Sequence, residues 1–429
     1  MEKSLFVQFV NKYFKIFGQK ISERINGQEL AQMYYHATAL VPEFTPTLKW
    51  GSLSVNGTTV AADIVAMDSS LPLKKRDSIR KADGDIPKTG MKLYLNENTM
   101  NEIRTMQAMG VEESLIVQKL FGDLTKCATG VKERMEYLFL QAISSGIIEI
   151  PTDESPGLAV RADFGYPATN KFQATVAPWS ETTADPCADI ENVLERASSR
   201  GVALRYLWMD KQTWNLFKAN EKVRQSYAFH VGFSGQNAPN VQSVEKANEW
   251  LLSAYGLTLV VVDRYVNVEK DGKQKSVKPW LDHSVVFTKS NVVGRLQWTT
   301  VVELAFPVKQ VDYAVVDNYI LLSKYSTNDP VREYSSSQAM AIPVIDDIDQ
   351  IYILDSGTLV NDDAQTEGNT TFSYKDVSYT KASVITAINL AYNSTTKAKA
   401  GDTDAKLNKA INAMDDAQVA IFEANIVAS

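Results

Sequence analysis

The feature that most restricts what this chain can fold into is the helical patterning between residues 97 and 145. Asn98 or Thr99 offers a cap at its start, and Ile103, Met106 and Met109 follow at turn spacing. After a break at Gly110 the stripe resumes with Leu115, Ile116, Leu120 and Leu124. It closes with Val131, Met135, Leu138, Phe139, Ala142 and Ile143, spaced i, i+4, i+7, i+8, i+11 and i+12, and stops at Gly146. Gly122 and Gly130 are places where the axis can bend. A coiled coil is the alternative, but the spacing drifts off a strict heptad. A helix of this kind belongs to a large core, and 429 residues at roughly 150 per domain leave room for about three domains.

Two segments of different character precede it. Residues 4–36 read as helical, with Leu5, Phe6, Phe9, Val10, Tyr13, Phe14 and Phe17 on one face and lysines opposite; Gly18 and Gly27 punctuate the run. Such a face can lie on a membrane, but packing on protein, here a neighbouring subunit, is the preferred reading. Residues 50–95 hold two short alternating runs, Leu53-Ser54-Val55 and Ile64-Val65-Ala66-Met67, around the tight-turn signal Asn56-Gly57. From Lys74 to Lys92 there are seven Lys/Arg against three Asp. A segment so poor in large apolar residues cannot bury itself, so it reads as an extended hairpin or arm, with a solvated loop as the alternative.

Beyond the long helix, strands are expected at 147–150 and 159–164. Residues 185–304 then alternate helix and strand: a helix at 188–199, a buried strand at 204–209, a helix capped by Asp210, a buried strand at 257–262, an Asp271-Gly272 hairpin turn, and strand material at 284–287 and 292–293. Strands follow at 313–316, 320–323 and 351–354. From 357 the composition shifts to Thr, Asn, Asp and Ala, with a strand at 371–374 and helical stripes through Val384, Ile388, Leu407, Ile411 and Ile421. With nine acids against six bases, this tail reads as a small appended domain joined at Gly357.

Composition narrows the chemistry. Only Cys127 and Cys187 and three histidines occur, which excludes a disulfide framework and a cysteine-built zinc site. His36, His230 and His283 stand far apart without ligand spacing, so each reads as structural or surface. Cys187 follows Pro186 at a helix start that would favour a thiolate, but no histidine lies near it in sequence. Asp346-Asp347-x-Asp349 could chelate a hard cation, yet it lacks the glycine and the distal glutamate of a calcium loop, so a solvated turn is preferred. Gly84 to Gly90 is not a phosphate loop, and Gly232-Phe233-Ser234-Gly235 is not a nucleophile elbow. No cofactor, metal or catalytic residue is put forward. The first twenty residues carry lysines among the apolar positions and no run approaches the ~20 apolar residues of a membrane span, so the chain is expected to fold in a reducing cytoplasm.

One stretch carries a family resemblance. Asn318-Tyr319-Ile320, then Asn328-Asp329-Pro330-Val331-Arg332-Glu333-Tyr334-Ser335-Ser336-Ser337-Gln338-Ala339-Met340-Ala341-Ile342-Pro343 and Asp347-Ile348-Asp349, resembles the closing segment of lambda-type tailed-phage major capsid proteins, the phage capsid E family. Arg134-Met135-Glu136 through Gly146 is similar to that family's helix end. Asp163-Phe164-Gly165-Tyr166-Pro167 with Trp179 and Asp185-Pro186 is similar to its entry to the next domain. Trp214-x-x-Phe217 and Tyr255-Gly256, Asp263-x-Tyr265 and Gly272 are similar too, so that the resemblance spans roughly residues 50–355. Residues 357–429 depart from the family, whose members would stop near Leu354.

The resemblance implies an α+β major-capsid fold: an N-terminal arm (1–50), an extended β-hairpin loop (51–95), a peripheral domain with a long spine helix and a sheet (96–183 and 305–356), an axial α/β domain (184–304) and an additional domain (357–429). It implies a coat protein that assembles through hexamers and pentamers into the icosahedral shell around phage or prophage double-stranded DNA. Lys74, Lys75, Arg76, Arg80 and Lys81 would be intersubunit contacts of the loop, and Phe6, Phe9, Tyr13 and Phe14 those of the arm. Asp329, Pro330, Arg332, Glu333 and Tyr334 form the family-like motif. The partners implied are other copies of itself, scaffold, portal and decoration proteins, and DNA held without sequence specificity; no membrane is involved. The place of action would be the virion, assembled in the host cytoplasm. A net charge of −7 suits a lining past which phosphates must slide. An arm and a loop let weak contacts sum around closed symmetry. Deleting 71–88 is expected to leave a folded subunit that cannot close shells. Two other readings stand beside this one, an encapsulin-like compartment shell and a soluble α/β enzyme with its site in 184–304.

Overall fold

Strand Val331–Ile345 organises the body of the protein. In the computed structural model, which describes residues 3–26, 34–55, 79–150, 160–359 without 234–238, 240, 242 and 271, and in the tail 371–374, 377–393, 397, 398, 407, 410, 411 and 413–426, it is the longest strand. One edge pairs with Ile320–Asn328, and the other carries two strands end to end, Gly294–Thr299 and Lys88–Leu95. Leu40–Phe44 adds a parallel edge beyond Gly294–Thr299, and Asp312–Val316 closes the far side, making six strands.

The sequence pattern conceals this central strand. Ser335, Ser336, Ser337 and Pro343 are poor strand formers. The serines are tolerated because their hydroxyls find partners: Ser337 Oγ donates to the Cys127 carbonyl at 2.8 Å, and Ser323 and Ser336 share a hydrogen bond of 2.6 Å.

The expected long helix lies on this sheet in two pieces. Glu97–Ala108 is capped by Asn96, two residues before the expected position, whose side chain accepts the Thr99 N–H at 3.0 Å. After a turn at Gly110 the helix Glu113–Ser145 runs unbroken for 33 residues and ends on left-handed Gly146. It buries Leu120, Phe121, Leu124, Ala128, Val131, Met135 and Phe139 in one core with Ala339, Ala341, Ile342 and Val344. Gly130 is not a bend: a Cβ there would collide with the Met91 sulfur, so the glycine lets strand Lys88–Leu95 approach the helix.

A second sheet runs in the order Lys171–Ala174, Tyr352–Leu359, Ser284–Thr288, Tyr206–Asp210, Thr258–Val262. Its middle strand, Ser284–Thr288, is buried at every residue, and the last two strands are parallel. Helices Pro186–Ser199, Lys211–Ala219, Glu221–His230 and Val244–Tyr255 accompany it. Asp210 caps Lys211–Ala219 as expected, and Gly272 takes the turn of the Val266–Lys270/Lys273–Val277 hairpin at φ +74. The sheets divide the sequence differently from expectation: Gly294–Thr299 and Lys88–Leu95 belong to the first sheet, and Lys171–Ala174 and Tyr352–Leu359 to the second.

The chain separates into two compact units, residues 1–172 with 186–356, and 173–185 with 357–429. The tail therefore takes in 173–185 as well. Its described part has a hairpin, Thr371–Tyr374 with Val377–Thr380, and helices Lys381–Ala391 and Asp416–Asn425. A core of Val384, Ala387, Ile388, Leu407, Ile411 and Phe422 holds it together, with the Tyr374 ring edge-on to Phe422 at 5.3 Å.

Candidate functional site

Three groups of buried or half-buried polar side chains fasten peripheral segments to the first sheet and its helix. The first fastening holds the N-terminus. Glu333 and Lys324 are both 0% exposed, with Nζ 3.6 Å from the carboxylate. Glu333 accepts the Ser4 hydroxyl and, at 3.1 Å, the Leu5 N–H. Lys324 donates to the Leu120 carbonyl at 3.3 Å and to Ser335 Oγ at 3.2 Å. Burial holds its ammonium below the ordinary lysine range, with the Glu333 charge pulling the other way. Ser326 Oγ donates to the Lys3 carbonyl at 2.7 Å. From there helix Val7–Asn26 lays Phe9, Val10 and Phe14 into the core, Phe14 at 6.2 Å from the Phe121 ring, and Gly18 lies close to Ala314. The aromatic face expected to meet a neighbouring subunit is turned onto the chain's own body: Phe9 and Phe14 are buried, and Phe6 and Tyr13 are partly so. Tyr13 also donates to Glu113 at 2.6 Å.

A second fastening holds the return of the arm. Glu136, inside the long helix, accepts the N–H groups of Tyr35 and His36, each at 3.0 Å, and meets His36 Nδ1 at 2.5 Å. It thereby satisfies the start of the short helix Tyr35–Ala39, and His36 is structural. Glu133, one turn earlier, takes the Tyr34 hydroxyl at 2.9 Å and the Arg264 guanidinium at 2.5 Å. Burial first, then this carboxylate, push the Tyr34 hydroxyl above the ordinary phenol range.

The third fastening holds the root of a two-stranded ribbon, Lys49–Val55 paired with Ile79–Asp85. Arg295 grips Asp346 with two parallel hydrogen bonds, 2.6 and 2.9 Å, and reaches Glu43 at 2.7 Å and the Gly51 carbonyl at 3.3 Å. Gln297 donates to the same Glu43 oxygen at 2.8 Å and accepts the Gly51 N–H at 3.0 Å. Ser52 Oγ donates to the Ile345 carbonyl at 2.5 Å. The Asp346 hydrogen bonds, foremost, push the Arg295 guanidinium above its ordinary value.

The other sequence candidates are placed as follows. Asp329 and Pro330 make the two-residue connection between the paired Asn328 and Val331. Arg332 lies over the Tyr94 ring at 4.3 Å, and Tyr334 stacks on Tyr325 at 5.2 Å. Of the motif, Glu333 alone is buried. Lys74, Lys75 and Arg76 lie outside the described residues, as does the expected Asn56-Gly57 turn with the run at 64–67. Arg80 and Lys81 are on the second ribbon strand, within the segment expected to form an extended hairpin or arm, and their side chains are outside the description. Asp346 is committed to Arg295, and Asp347 sits in a left-handed turn with its carboxyl raised by burial and by Asp346. Cys127 is buried, its thiol pushed up to about 12 by desolvation. Cys187 is half-buried, hydrogen-bonded with Tyr255. Among the described residues, no group of three or more His, Cys, Asp or Glu could hold a metal ion, and no helix is long and apolar enough to cross a membrane.

Arg295 and Gln297 have no place among the sequence candidates, and Glu136 enters there only as part of the family-like helix end. The first two sit at alternate positions of Gly294–Thr299, a signal that one strand face is polar.

No curated protein matches this chain. Three remote likenesses among solved structures are a candidate capsid protein of an E. coli CFT073 prophage (15% identity, 79% of this chain and 98% of that one, TM-score 0.47), a phage-related protein from Bordetella bronchiseptica RB50 (11%, 79% and 97%, 0.45) and the capsid of cyanophage A-1(L) (12%, 76% and 94%, 0.44). Their TM-scores stay below 0.5, so the assignment rests elsewhere. The family model described as phage major capsid protein E matches residues 45–354, from the ribbon root to the second sheet's Leu354 and across most of the chain. The chain belongs to the phage major capsid protein E family and is a capsid shell protein.

Proposed function

We propose that copies of this chain assemble through hexamers and pentamers into a closed icosahedral shell around double-stranded DNA, and that the ribbon at 49–85 is the arm by which one copy holds the next. The ribbon itself carries this reading. It is rooted by a charged and hydrogen-bonded clamp, and its two strands lead into 56–78, which contains Lys74, Lys75 and Arg76. A clamp of that kind is of use where the projecting part bears load. The −7 charge of the chain favours a lining that does not adhere to phosphate. The body around the first sheet acts as the peripheral part and the second sheet with its helices as the part nearest the symmetry axes. Scaffold, portal and decoration proteins are the further partners, assembly takes place in the host cytoplasm, and the work is structural, with no catalytic step.

Electron microscopy of purified protein tests the reading: capsomer rings or uniform closed shells support it, and a monomer that assembles at no salt concentration refutes it. A loop deletion sharpens the test. Its limits must lie inside 56–78, because 79–85 pairs with 49–55 and Ile86 is buried, so a cut over 71–88 would damage the root. Replacing 58–76 by a two-residue turn is expected to leave a folded subunit that closes no shells.

A further inference from the structure

We propose that Arg295 and Gln297 are positioning residues of the ribbon: they fix the direction in which it leaves the body, and so where a neighbouring copy is met. The inference rests on the reading of the ribbon as an intersubunit arm. The two residues stand two apart on strand Gly294–Thr299, so their side chains leave the same face. Both reach the same two groups, the Glu43 carboxylate and the Gly51 carbonyl, and Gln297 accepts the Gly51 N–H as well. One set of hydrogen bonds thus fastens edge strand Leu40–Phe44 and the first ribbon strand together.

The chemistry suits orientation more than adhesion. The planar guanidinium is held by Asp346 through two parallel bonds, which sets its plane, while further N–H groups reach Glu43 and Gly51. A lysine ammonium supplies the charge without the plane. Gly51 is used through its backbone: a Cβ there would meet nothing within 4 Å. From Ser52 the strand runs to Val55, roughly 10 Å further at 3.3 Å per residue, so a tilt at Gly51 is multiplied along the ribbon.

The test compares R295K and Q297M with the native protein. In hydrogen exchange on the purified subunit, R295K is expected to speed exchange of residues 48–52 and 84–86 at least tenfold while 320–328 and 331–338 keep their protection. In electron microscopy R295K gives open shells or shells of variable diameter. Q297M, which removes no charge, carries the test if R295K lowers the melting temperature of the whole body. Unchanged exchange at the root in both variants overturns the positioning role. A loosened root with shells of uniform diameter overturns its link to assembly. The 58–76 deletion separates these outcomes from the parent reading: if it closes normal shells, the ribbon is no assembly arm; if it blocks closure and R295K does not, only the positioning role falls.

Discussion

Replacing Glu333 by Gln puts the fastening of the N-terminus under the sharpest strain. The carboxylate is wholly buried, accepts from Ser4 and Leu5, and lies 3.6 Å from Lys324 Nζ. Glutamine keeps the shape but offers a single acceptor oxygen to three partners, and it leaves Lys324 as a buried cation without its counter-charge. Breaking one member of a buried pair lowers stability by about 3–5 kcal/mol. Lys324 limits the loss, because its ammonium is already held below the ordinary range and can shed its proton instead. The lower end, about 3 kcal/mol, is therefore expected, which at ~2 °C per kcal/mol for a large body is a fall of about 6 °C in melting temperature. Calorimetry at neutral pH measures that fall, and hydrogen exchange should show residues 3–12 opening first. The sign of the pH dependence follows from Lys324. Its folded pKa lies below the ordinary 10.5, so the unfolded chain binds the proton more tightly; the penalty is complete below the folded value and lifts as pH rises toward 10.5. The gap between E333Q and the native protein should narrow on that rise, since the variant's lysine is the more strongly depressed. A melting temperature within about 1 °C of native, where ~6 °C is expected, or a gap that widens with pH, refutes the reasoning.

Three further outcomes follow from geometry. Asp210 caps Lys211–Ala219 and binds Lys278 at 2.8 Å, so D210A should lower stability by about 2 kcal/mol. Burial opposes ionisation of Asp210, but Lys278 and Thr213 hold its carboxyl below the ordinary range, so the difference from native should vanish as an acid titration followed by circular dichroism falls below pH ~4. Cys127, buried with its thiol pushed up to about 12, should resist iodoacetamide at mildly alkaline pH in the folded protein and react in urea; equal rates would contradict the placement. G130A should destabilise the native protein through Met91, yet stabilise an M91A background by about 1 kcal/mol as helix propensity takes over; thermal melts of the four proteins decide it.

Where apolar periodicity decides an element, the sequence could be read directly. The long helix, the buried strand Ser284–Thr288, the Asp210 cap and the left-handed Gly272 between paired Lys270 and Lys273 are all where spacing puts them. The central strand escaped because its serines and buried Glu333 look solvated until Lys324, Cys127 and Ser323 are brought opposite them by pairing distant in sequence. The ribbon was half legible: a hairpin was expected, but the partner of 49–55 is 79–85, and no local turn signal can announce a pairing across 23 intervening residues. The clamp at Gly51 was hidden for the same reason, since Glu43, Gly51, Arg295 and Asp346 meet only after three strands have been laid side by side.

The double occupancy of one edge of Val331–Ile345 has a mechanical consequence. Only Ile86 and Pro87 separate the ribbon from strand Lys88–Leu95, so a pull on the ribbon arrives at the end of that strand. Pulled lengthwise, its eight residue pairs with 333–340 bear the tension together, like stitches along a seam, instead of parting one at a time. Val331–Ile345 passes the tension to Ile320–Asn328 across its other edge, and Lys88–Leu95 passes it to the long helix where Met91 presses on Gly130. In a shell swollen from within, such a subunit should hold its shape while the joints between copies give way first.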